Sequence, residues 1–147
     1  MLFRSVGEGS IALNTATELA QRGVAFVQIV ASRAETDRDK SGIIEGDATN
    51  ESVLQQAGIQ RARMVIAARE DDGENAFIVL GAKDLNPEVR VLAVASSPRS
   101  IRRLQLARAD LVFSPAAVGS RLLADLVQGN QILPQFSDLL EGHPKKA

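Results

Sequence analysis

Residues 2–12 read L-F-R-S-V-G-E-G-S-I-A. Leu2–Val6 has strand character, and Ile11–Gln21 has its apolar residues at helical spacing. The chain therefore passes from strand to helix within a few residues, and glycine is what such a turn needs. Gly7 permits the tight turn. Gly9, lacking a Cβ, lets another group approach the backbone. Ala12 keeps the helix close to the strand. A helix that opens this way presents free N–H groups and a partial positive charge, which together suit a phosphate. The same turn also works as a purely structural device, and this stretch alone leaves both roles open.

The pattern continues outward. Strand-like runs follow at Val24–Val30, Gly42–Glu45, Met64–Ala68, Val89–Ala95 and Leu111–Phe113. Helical segments alternate with them at Glu51–Ala57, Gly73–Leu85, Pro98–Ala107 and Pro115–Val127. Alternation with short connections predicts parallel strands joined by crossover helices. Most of the strands are nearly continuously apolar, as strands covered on both faces are. The predicted fold is a doubly wound α/β sheet of about six strands with helices on both faces. Ser97-Pro98 and Ser114-Pro115 set a hydroxyl before a proline at helix starts. Asp71 with Glu74 resembles a capping box. Gly23 and Gly58 suit helix ends. Residues 33–41 form a charged stretch expected to be a solvated loop.

Composition narrows the function. The chain has 147 residues, enough for one domain with a real core, and 45% of them are hydrophobic. Lys and Arg number 17 against 18 Asp and Glu, so no charge excess favours nucleic acid. Cysteine, tyrosine and tryptophan are absent, and His143 is the single histidine. Thiolate metal sites and cysteine nucleophiles are excluded. An oxidoreductase would need a substrate site and a proton donor as well as a cofactor site, and one sheet uses up this chain. The expectation is a protein that is not an enzyme, with no catalytic and no metal-binding residues. No apolar run approaches the ~20 residues of a membrane-spanning helix.

The second strand ends Q-I-V-A-S-R over residues 28–33. Sheets that bind NAD usually place Asp or Glu there, on the ribose hydroxyls. Val30 or Ala31 takes that place here, and Glu35 and Asp37 lie farther into the loop. A nicotinamide dinucleotide should therefore bind weakly.

Further motifs appear in a fixed order: G-D-A-T at 46–49, A-G-I at 57–59, E-D-D-G-E-N at 70–75 and A-D-L-V-F-S-P at 109–115. Over about residues 2–128 the chain resembles the RCK domain, also called TrkA-N, a regulator of potassium channels and transporters. The segments A-L-N-T, Q-R-G, E-N-A-F-I-V-L-G-A-K-D and V-L-A-V-A-S are most similar to the branch of bacterial Kch-type potassium channels. The resemblance implies a ligand-sensing cytoplasmic domain at the inner face of a membrane, coupled to a membrane pore domain. The alternative parents it implies are a Trk-type transporter and a Kef-type antiporter. It also implies that Gly7, Gly9, Ser10 and Ala12 meet the phosphates of an adenine nucleotide or NAD(H). Asp47 and Ala48 would lie beside the base, and Ala68, Arg69 and Asp72 at the far rim. The resemblance implies an effector that is a nucleotide or an ion.

Some of these residues also have structural roles open to them. Asp47 suits an adenine amino group, a cation or a helix cap. Asp71 and Asp72 suit a divalent ion or the start of a helix. Arg99, Arg102, Arg103 and Arg108 read as the wet face of an amphipathic helix, with no aromatic platform for bases. Within residues 130–141, Ile132, Leu133, Phe136, Leu139 and Leu140 form an apolar stripe after the sheet is complete. It either folds back on its own core or docks on another chain. The resemblance favours a crossover helix in a homodimer or gating-ring oligomer. Residues 1–129 would then be the sheet domain and 142–147 a disordered tail.

Overall fold

The computed structural model describes residues 3–32 and 42–131. The charged loop at 33–41 and the tail at 142–147 lie outside these residues. So does the expected crossover helix, apart from Asn130 and Gln131.

Among the described residues, eleven helices and strands follow in order. They are β1 (Phe3–Val6), α1 (Ser10–Gln21), β2 (Phe26–Val30), β3 (Ile43–Glu45), α2 (Glu51–Gln56), β4 (Met64–Ala67), α3 (Asp72–Leu85), β5 (Arg90–Val94), α4 (Ile101–Leu106), β6 (Leu111–Phe113) and α5 (Pro115–Gln128). Single 3-10 turns at Ile59–Arg61 and Pro98–Ser100 precede β4 and α4. Pro98 opens its turn as expected, but Ser97 makes no side-chain cap there.

The six strands form one parallel sheet in the order β3-β2-β1-β4-β5-β6. Phe3 stands opposite Phe26 on one side and Met64 on the other. The chain winds outward from β1 to β3, returns to β4 beside β1, and winds outward again. By the rule that such crossovers are right-handed, this strand order sets α1 on one face and α2, α3 and α4 on the other. There α3 packs on β4 and β5 and against both α2 and α4.

The main core lies under those three helices. Val6, Ile29, Leu54, Ile59, Val65, Ile78, Val79, Val91 and Leu104 are all buried in it. Each such side chain contributes about 1.5–3 kcal/mol by leaving water. A second, smaller cluster joins Ala12, Ala68 and Val94 to Ile66 and Leu92.

One charged group sits inside β1. Arg4 is only 2% exposed. Its guanidinium donates to the carbonyls of Ala57 and Gly58 at the end of α2. Both carbonyls lie just past the last residue of α2, at the negative end of its dipole, so a cation suits them; that of Gly58 also accepts the Arg61 N–H at 3.1 Å. Burial, together with the charge of Arg61, pushes the Arg4 pKa down.

Residues 3–115 of the described chain belong to one compact unit. The second unit starts at Ala116 and contributes most of α5. Val118, Leu123, Leu126 and Val127 on that helix are exposed.

Candidate functional site

The glycine turn joins the ends of three strands. The Gly7 N–H donates to the carbonyl of Ile29 at 3.1 Å, and the Ala68 N–H donates to that of Val6 at 2.9 Å. Gly7 has φ +137°, and a Cβ there would collide with the Ala68 carbonyl. Only glycine fits such a position without strain. Gly9 is the N-cap of α1, with ordinary extended backbone and no side-chain cap. The first N–H groups of the helix are therefore left to solvent or a ligand. Ser10 is the first residue of α1 and is exposed, and Ala12 is completely buried.

A cleft of about 340 Å³ opens beside this turn, lined by Glu8, Gly9, Arg69, Glu70, Asp71 and Glu74. Its walls are the segments that follow β1 and β4. These strands are neighbours at the point where the winding reverses, the place where open α/β sheets bind ligands.

The β4–α3 segment is held by one asparagine. Asn75 is fully buried. Its Oδ1 accepts the Arg69 N–H, while its Nδ2 donates to the carbonyls of Arg69 and Val94, each at 2.9 Å. The end of β4, the start of α3 and the end of β5 are thus tied together. Asp71 caps α3 by accepting the Glu74 N–H at 2.8 Å. This is half of the expected capping box, because the Glu74 carboxylate turns instead to Arg69 Nε at 2.7 Å. That hydrogen bond raises the Arg69 pKa against the opposing effect of burial; the charges of Glu74, Glu8 and Asp47 add to the rise.

Asp72 points elsewhere. Its two oxygens accept from the N–H and hydroxyl of Ser96 at 2.8 and 2.7 Å. Burial pushes its carboxyl pKa up, but hydrogen bonds from Ser100 and Ser96 and the charge of Arg103 outweigh this and hold it below the ordinary value. Asp47 accepts from the hydroxyl and N–H of Thr49 at 2.7 and 2.9 Å, and these bonds lower its pKa. Among the described residues, no group of three or more His, Cys, Asp or Glu side chains is arranged to hold a metal.

Of the site residues predicted from sequence, Gly9 and Arg69 line the cleft. Gly7, Ala12 and Ala68 pack together behind it. Asp47, Ala48 and Asp72 are not among the lining residues. Three glutamates were missed. A Cβ on Gly9 would meet Glu70 Cγ at 2.8 Å, so the Glu70 side chain lies over the turn. Glu74 pairs with Arg69. Glu8 reaches the end of β2, where its Oε1 accepts the N–H groups of Ala31 and of Ser32, the latter at 3.3 Å. The same oxygen lies 3.7 Å from an Arg69 nitrogen. Sequence held no signal for Glu8, because it fills the unconstrained place between two glycines.

Comparison with known proteins adds a family to this geometry. The model of the TrkA-N domain matches residues 6–115. The voltage-gated potassium channel Kch of Escherichia coli (strain K12) is 33% identical over 138 residues, covering 88% of this chain and 33% of the channel. The crystal structure of GsuK bound to ADP matches with a TM-score of 0.77 at 33% identity, covering 87% of this chain and 34% of that one. The GsuK channel bound to NAD matches with a TM-score of 0.74 at 32% identity, covering 86% of this chain and 23% of that one. The chain thus spans about a third of the length of Kch.

Proposed function

Since this chain belongs to the TrkA-N (RCK) domain family, we propose that it is a regulatory domain that senses an adenine nucleotide and controls a potassium channel. The observation that carries this is the cleft at the switch point between β1 and β4. It combines a glycine turn, an uncapped helix N-terminus and Arg69, which fit a phosphate. The related GsuK structures, with ADP and with NAD, make an adenine nucleotide the first ligand to test.

In this reading the chain performs no covalent chemistry. Bound phosphates would lie on the N–H groups at the start of α1. Arg69 would face them from the β4–α3 segment. Asn75 and Asp72 fasten that segment to the ends of β4 and β5, so a ligand that shifts it acts on α3 as a rigid piece. Such movement, passed to a pore domain through a second copy of the chain, is the proposed means of control. The cytoplasmic side of a membrane is the proposed location. Among the described residues, no helix is long and apolar enough to cross a membrane.

The test is thermal unfolding with NAD, NADH, ATP, ADP and AMP, on wild type and Gly9→Val. The Gly9 backbone is ordinary, and the three atoms nearest to a new Cβ all belong to the flexible Glu70 side chain, which can turn away. The variant should therefore fold and lose the ligand. A nucleotide at 100 times its dissociation constant should add about 2.7 kcal/mol to wild-type stability. If none of the five shifts wild type at millimolar concentration, nucleotide sensing is excluded.

A further inference from the structure

The second strand lacks the acid that usually reads a ribose, yet a carboxylate stands at its end. Glu8 comes from the glycine turn, 23 residues earlier in sequence than Ala31. Its Oε1 accepts the N–H groups of Ala31 and Ser32, the first two residues beyond β2. Ala31 has no side chain past Cβ, so the space that an Asp or Glu would fill there is left to Glu8. Among the described residues all the contacts of Glu8 fall on Oε1, leaving Oε2 to accept from a ligand. The other acids near the cleft are placed differently. Glu74 is paired with Arg69, Asp47 is bonded to Thr49, and Glu70 lies over Gly9.

We propose that Glu8 is the residue that determines ribose specificity, its carboxylate taking the place of the missing strand-end acid. This rests on the nucleotide reading above. The 2′-hydroxyl of an adenine nucleotide donates to the Glu8 carboxylate, which two backbone N–H groups and Arg69 hold in place. A ligand lacking that hydroxyl loses the bond. A ligand with a 2′-phosphate sets like charges side by side, which costs more. The site therefore takes adenine ribonucleotides with a free 2′-hydroxyl and rejects their 2′-phosphorylated forms.

The test is calorimetric titration of the full chain with 5′-AMP, 2′-deoxy-5′-AMP and adenosine 2′,5′-bisphosphate. Wild type should prefer 5′-AMP over each of the others by about tenfold or more, as expected for a hydrogen bond to a charged group. Glu8→Gln keeps an oxygen for Ala31 and Ser32, and it should bring the three ligands to within about threefold of one another. Adding Ala31→Asp to Glu8→Gln returns a carboxylate from the strand and should restore the preference. A wild type that binds 5′-AMP and 2′-deoxy-5′-AMP equally overturns the proposal without any variant. So does a preference that survives Glu8→Gln. Failure of wild type to bind 5′-AMP and each of the four other nucleotides named above overturns the nucleotide reading, and the role of Glu8 with it.

Discussion

Glu70 lies over Gly9, where a phosphate would have to sit. Its carboxylate opposes the ligand that the glycine turn and the start of α1 attract. Removing the charge while keeping the shape should therefore help binding. Glu70→Gln is expected to tighten a nucleotide by about threefold to tenfold at low ionic strength, with the gain shrinking as salt screens the charge. Titrations at two salt concentrations would show it, and weaker binding by the variant would place the phosphates elsewhere. The glycines that frame this contact were legible in the sequence, because a tight turn and a close approach leave few choices of residue. Glu8 and Glu70 were not, since their roles come from strands that the fold alone brings together. Arg4 was hidden for a similar reason. It sits within an apolar strand run, and only the fold shows the carbonyls of α2 above it.

At the scale of elements, the β4–α3 connection depends on Asn75. Asn75→Ala would leave the N–H and carbonyl of Arg69 and the carbonyl of Val94 without that partner. A cost of about 2–4 kcal/mol is expected in urea unfolding. Asp71→Ala, which removes only the cap of α3, should cost about 1 kcal/mol. If the two variants cost the same, the asparagine is not the clasp described here. The helices and strands themselves were legible to within a residue or two, once the 3-10 turn at Pro98–Ser100 is counted with α4. Proline, glycine and aspartate mark their ends, and the strands are short apolar runs. The asparagine was visible as part of E-D-D-G-E-N, but its role was not. Its partners include Val94, 19 residues away on β5, and no local pattern points there.

For the molecule as a whole, three carboxyls among the described residues contribute to the response to acid. Hydrogen bonds from Thr49 lower the Asp47 pKa. For Asp72 and Asp110, burial raises the pKa, but their hydrogen bonds and cationic neighbours more than reverse it. Lys83 lies 2.7 Å from Asp110. All three folded-state values thus fall below the unfolded value of 3.8. Below that pH the unfolded chain binds more protons than the folded one. The stability these groups supply is therefore complete above about pH 5 and is lost as pH falls through the folded-state values. Urea midpoints at pH 6, 4 and 3 should decline. Asp110→Asn should flatten part of that decline, and a midpoint level down to pH 3 would contradict the assignment.

The two faces of the sheet are not anchored alike. The buried residues of α1 are Ala12 and Ala16, whereas those of α3 are Asn75, Ile78, Val79 and Ala82. Amide hydrogen exchange should register this difference. The amides of α1 should exchange through local openings well before those of α3, which wait for global unfolding. Because the first turn of α1 is also the proposed phosphate seat, a bound nucleotide should slow exchange in α1 far more than in α3. Protection spread evenly over both helices would mean that the ligand is held somewhere other than the turn. The weakly anchored helix is thus the part of the molecule whose opening rate records whether the cleft is filled.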